Sequence, residues 1–140
     1  MKWIALLYIF SFIFCITTPV TAGQNGWIQI AEEIEKALHS AGELYEAGKS
    51  EEAMEKVADA YFGIFEGEKA NMEIAVRRYI SLKKATELEK GFGDIRKAMY
   101  NKAPLLDIKK QIANLLKALK ESAMELDRKG VEMDAGFSSQ

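Results

Sequence analysis

Cysteine, histidine and proline are nearly absent from this sequence. Its 140 residues include one cysteine, one histidine and two prolines. The lone Cys15 excludes an internal disulfide, a CxxCH haem attachment, a thioredoxin-like pair and a cysteine-based zinc finger. The lone His39 excludes HExxH and leaves no second imidazole for a common catalytic zinc site. Also missing are a GxSxG elbow and a phosphate-cradling glycine loop, since the GFG at 91–93 follows no strand pattern. No nucleophile–base pair is recognisable, so no enzymatic activity is expected. The net charge is only −2, basic and acidic residues alternate, and no basic block stands alone. Nucleic-acid binding is therefore not expected.

What the chain does have begins with an apolar run, residues 4–16, behind Lys2. Thr17, Thr18 and Pro19 break the run, and Val20, Thr21 and Ala22 offer the small residues a signal peptidase reads. Residues 1–22 are read as a secretory signal peptide cleaved after Ala22. The run is shorter than the roughly 20 apolar residues that span a bilayer. Localisation in the periplasm or on an extracytoplasmic surface follows. Cys15 leaves with the leader, so the exported domain is held by packing alone.

From Trp27 onward the apolar spacing is helical. Trp27, Ile30, Ile34, Leu38, Ala41, Leu44 and Tyr45 share a first face, and Gly48 is a stop. Ser50 is expected to cap a second helix, with Ala53, Val57, Ala60, Tyr61 and Ile64 inward and Phe62 and Phe65 widening that face. Gly63 inside it calls for a close helix crossing, and Gly67 ends it. A third helix of about 30 residues runs from between Glu68 and Asn71 to Met99, rising about 1.5 Å per residue. Its stripes are Met72, Ala75, Val76, Tyr79, Leu82 and Thr86, then Leu88, Phe92, Ile95 and Met99. Gly91 and Gly93 mark a kink or a close contact. Pro104 suits a helix start, and Leu105, Ile108, Ile112, Leu115, Leu119, Ala123 and Leu126 repeat in threes and fours up to a stop at Gly130. The expected fold is all-α, an antiparallel four-helix bundle with a long third helix over residues 23–130, and 131–140 are a flexible tail.

Three carboxylates stand out as metal ligands: Glu66, Glu73 and Glu89. Glu66 and Glu73 flank the turn at Gly67, and hard or borderline cations, iron included, take oxygen ligands. Two structural jobs compete. Glu73 precedes Arg77 by four residues, the spacing of an intrahelical ion pair. A buried Tyr61 or Tyr79 hydroxyl needs a partner, which one of the glutamates can be. Glu87 and Glu89 cannot share a helix face, so at most one joins any cluster. Glu35, His39 and Glu43 also share a face at metal-compatible spacing, although a histidine between solubilising glutamates is the plainer reading. The five methionines beyond the leader form no MxM or MxxM cluster and read as core filling rather than a soft-metal site.

The passage DAYFGIFEG…NMEIAV…ATELEKGFGDIRKAM resembles the exported N-terminal domain of bacterial permeases of the high-affinity iron uptake family. The matching positions are Ala60, Tyr61, Phe65, Glu66, Met72, Glu73, Glu87, Leu88, Glu89, Phe92 and Ile95, within residues 50–100. The resemblance implies an extracytoplasmic accessory module of an iron uptake system. It would bind or hand over iron through Glu66, Glu73 and Glu89, or dock on an inner-membrane iron permease. The family's permease domain carries REXXE motifs, and this sequence has none. Two alternatives stand beside that reading: a metal-free helical adaptor or protein-interaction domain, and a bundle that binds haem non-covalently through an inward-pointing His39 and a methionine.

Overall fold

The structure is a computed structural model that describes residues 26–68 and 70–133. The expected signal peptide with Cys15, and residues 134–140 of the expected tail, lie outside the described residues. The four-helix expectation is corrected. The described residues form five α-helices: α1 (Gly26–Glu46), α2 (Ser50–Ala58), α3 (Met72–Tyr79), α4 (Leu82–Tyr100) and α5 (Leu105–Arg128). A π-helical segment, Asp59–Phe65, continues α2 without a break.

The long third helix is two helices. Ile80 (φ −112°, ψ −78°) leaves the helical path and Ser81 (φ −171°, ψ 154°) is extended. The Ser81 hydroxyl then accepts a hydrogen bond from the Lys84 amide at 3.0 Å and starts α4 afresh. An N-cap serine satisfies one of the amides that a helix start leaves open, which stabilises the new helix by about 1 kcal/mol. The break takes Leu82 off the stripe predicted for it, and Leu82 stands 58 % exposed. Asn71 performs the same capping for α3 from a left-handed backbone (φ 48°), its side chain accepting from the Ile74 amide.

α1 packs against α2 and α5, α2 against α4, and α4 against α5. Tyr45 donates to the Ala103 carbonyl and Ser50 to the Met99 carbonyl, which ties the α1–α2 turn to the α4–α5 turn at one end. Ser50 is thus engaged across the bundle and is not a side-chain cap. α3 lies at the opposite end, against α4, α5 and the π segment. There the Trp27 indole donates to the Val131 carbonyl at 2.6 Å, and the Asp127 carboxylate accepts the Trp27 and Ile28 amides at the start of α1.

The core joins Trp27, Ile34, Leu38, Phe65, Met72, Phe92, Ile95, Met99, Ile108 and Leu119, all essentially inaccessible. Packing of this kind is the main stabilisation open to a fold with no cross-link. The helix of α4 runs unbroken through Gly91 and Gly93. Gly91 is a close contact: a Cβ there would sit 2.7 Å from Leu115 Cδ1 of α5. Gly93 faces open space.

Candidate functional site

The π segment decides which side chains meet. Ala53, Val57 and Ala60 are buried at α spacing, and the next fully buried residue is Phe65, five positions on. Five is the π repeat. The Glu66 amide accordingly donates to the Tyr61 carbonyl at 2.8 Å, closing an i to i+5 ring. The same offset puts the two side chains together, and the Tyr61 hydroxyl donates to Glu66 Oε1 at 2.5 Å. Phe62, expected inward, is exposed. Among the described residues no helix crosses at Gly63, where a Cβ would meet nothing within 4 Å. The close approach is instead at Gly67, where a Cβ would collide with the Gly63 carbonyl oxygen. The chain can therefore fold tightly back under the π segment and deliver α3.

α3 brings Glu73, only 7 % exposed although charged. Its partner is Arg77, one turn on, whose Nε donates to Glu73 Oε1 at 2.6 Å and whose Nη2 pairs with the same oxygen. Nη2 also reaches Glu89 Oε1 on α4 at 2.9 Å. One guanidinium thus joins two carboxylates from two helices. Glu87 turns the other way, toward Lys83 and Lys84.

Glu66, Glu73 and Glu89 converge on the Tyr61–Arg77 neighbourhood. Burial, the hydrogen bond to Glu66, and the charges of Glu66, Glu89 and Glu73 all push the Tyr61 phenol well above its ordinary value. Burial pushes Glu89 up, as do its hydrogen bond to Glu73 and that neighbour's charge, against the opposing pull of Arg77. Arg77 is held more firmly protonated, first by its hydrogen bond to Glu73. Behind the polar groups, the Tyr61, Phe65 and Phe92 rings lie 5.3 to 6.0 Å apart. They wall one side of the cluster with apolar surface.

Among the described residues, three carboxylates share this neighbourhood with one guanidinium, which pairs with two of them. Among the described residues, however, no group of three histidine, cysteine, aspartate or glutamate side chains is arranged to hold a metal ion. Arg77 stands between Glu73 and Glu89 and occupies the position of an internal cation.

The other expected candidates are dispersed. His39 is 63 % exposed on α1, its Nε2 3.6 Å from Glu35 Oε1. With Glu35 and Glu43 it lines a groove of about 800 Å³ between α1 and α5. Lys120 bonds Glu35 and Lys109 bonds Glu46 across this groove, both at 2.8 Å. His39 points outward, so the inward ligand that the haem reading needs is not in place.

Arg77 as a bridge to Glu89 is absent from the sequence reading, which gave it only the Glu73 pair. The two residues are twelve apart, and nothing short of the break at Ser81 would reveal the contact. A comparison with family models, curated proteins and solved structures finds no match for this chain.

Proposed function

We propose that this chain is an extracytoplasmic accessory module of an iron uptake system that takes a cation among Glu66, Glu73 and Glu89 when Arg77 swings away. The observation that carries the reading is the pairing of Glu73 and Glu89, from two helices, with one half-exposed guanidinium, while Glu66, bonded to Tyr61, joins the same neighbourhood from a third segment. Oxygen-only donors suit hard or borderline cations, ferrous iron among them. Arg77 is long and its far side is open to solvent, so it can leave without unfolding α3. Its presence keeps the buried Glu73 paired while no cation is bound, because an unpaired buried carboxylate is costly. The cation enters as cargo, and the chain performs no covalent chemistry on it. An inner-membrane iron permease or a related transport component is the expected recipient.

A second reading rests on one specific observation. Because no described group of three ligands has metal-holding geometry, a metal-free docking domain, in which the cluster only pins α3 to α4, is the alternative.

Anaerobic titration calorimetry with ferrous iron separates the two, with manganese and copper as controls. The cation reading expects weak saturable binding to residues 23–140, tighter binding in Arg77→Gln, and none in a Glu66→Gln/Glu73→Gln variant. Absence of heat in both the wild type and Arg77→Gln refutes it in favour of docking.

A further inference from the structure

At the end of the bundle away from the carboxylates, the α4–α5 corner combines exposed apolar tips with unpaired cations. Tyr100 is 75 % exposed and Leu106 77 %. They flank a turn that is tightly held. The Asn101, Lys102 and Ala103 amides donate to the Lys97, Met99 and Ala98 carbonyls. Tyr45 and Ser50 then bond the Ala103 and Met99 carbonyls from outside the turn. Lys102 sits at its apex with φ +53°. That left-handed backbone favours glycine, so a lysine there accepts strain and places a cation at the tip.

Residues 96–110 carry five basic side chains, Arg96, Lys97, Lys102, Lys109 and Lys110, against a single acidic one, Asp107. Lys109 is bonded to Glu46. The other four have no carboxylate partner among the described residues. The acidic groups nearby are Asp107 itself, Glu46, which Lys109 bonds, and, in the first turn of α2, Glu51 and Glu52, the latter paired with Lys49. The corner is basic on a chain whose net charge is negative, so a general attraction to anions does not explain it.

We infer that this corner docks the domain on an anionic lipid bilayer, with Tyr100 and Leu106 entering the interface and Lys97, Lys102 and Lys110 meeting the headgroups. Charge complementarity favours a lipid surface. Each lysine near such a surface strengthens binding about fivefold. Tyrosine settles at the headgroup level and leucine at the acyl boundary. Two separate side chains fall far short of the roughly 800 Å² per partner that a stable protein interface needs, whereas a fluid bilayer asks for no matching shape. No helix among the described residues is long and apolar enough to cross a membrane, so the contact is peripheral. Glu89 lies about 16 Å up α4 from Tyr100, and docking by this corner turns the carboxylates away from the lipid. The inference is independent of the cation reading.

The test is flotation of residues 23–140, which contain the whole described core and exclude the apolar leader. The vesicles are phosphatidylcholine alone and phosphatidylcholine with phosphatidylglycerol, at low and high salt. Binding is expected only to the anionic vesicles, weakened by salt. Lys97→Gln/Lys102→Gln/Lys110→Gln is expected to weaken it about a hundredfold. Tyr100→Ser/Leu106→Ser is expected to reduce it severalfold with an unchanged melting temperature, because neither side chain is packed. Equal binding to both vesicle types, no binding to either, or anionic binding indifferent to both variants overturns the inference.

Discussion

Three glycines near the carboxylate cluster form a graded experiment. At Gly67 an added methyl group would collide with the Gly63 carbonyl oxygen and lie 2.8 Å from its carbon. Those are backbone atoms inside a hydrogen-bonded segment, so the turn must open by roughly 1 Å, and overpacking of this kind costs about 2–3 kcal/mol. At Gly91 the obstacle is Leu115 Cδ1 at 2.7 Å. A leucine end can rotate, and alanine gains about 1 kcal/mol of helix propensity over glycine. Gly91→Ala should therefore fall within about 1 kcal/mol of the wild type. Gly93 meets open space in the middle of α4, and Gly93→Ala should gain about 1 kcal/mol. At about 4 °C per kcal/mol for a domain of this size, the melting temperatures should be lowered by about 8–12 °C, nearly unchanged, and raised by about 4 °C respectively. Circular dichroism during heating and urea titration read all three. If Gly67→Ala melts with the wild type while Gly93→Ala is stabilised as expected, the tight turn that delivers α3 does not exist as described.

Other outcomes follow from single contacts. Glu89 is harder to ionise folded than unfolded, so its charge is a penalty above its folded pKa that fades as pH falls through it. Glu89→Gln should match or exceed wild-type stability at neutral pH, and the gap should close as acidification protonates Glu89 in the folded chain; a gap that widens on acidification contradicts the assigned environment. Tyr61→Phe removes the donor to Glu66 and should cost about 1 kcal/mol in urea unfolding. The raised phenol means that this contribution is present below about pH 10 and is lost above it, so alkaline melts of wild type and Tyr61→Phe should converge. Ser81→Ala removes the cap of α4 and should cost about 1 kcal/mol, with hydrogen exchange accelerating first at Lys84; uniform protection there would show that the cap is dispensable.

The elements that ran longest without interruption were the most legible. The α5 stripe of Ile108, Ile112, Leu119, Ala123 and Leu126 is buried as its spacing requires, and Gly48 and Gly130 end helices at positive φ. The break at Ile80–Ser81 was hidden because Tyr79 and Leu82 continue an apolar rhythm across it. Only the serine signalled a restart, and serine is common inside helices. The π offset was hidden for a related reason: Ile64 fits the α pattern, yet Phe65 takes the buried place. For the site, the spacing from Glu73 to Arg77 was visible within one helix. The approach of Glu89 depends on the angle between α3 and α4, which no local pattern encodes.

A π turn is an α-helix with one residue too many. Residues 53, 57 and 60 keep α time, and the surplus is absorbed between Asp59 and Phe65. Deleting a single residue there would let the helix heal into regular register and bond more uniformly. A deletion between Tyr61 and Glu66 would leave the two at i and i+4 of a regular α-helix, still on one face, so their contact would survive it. The easiest route to a sturdier helix therefore leaves the Tyr61–Glu66 contact in place, and a mutational screen selecting for heat resistance alone would be expected to find that shortening early.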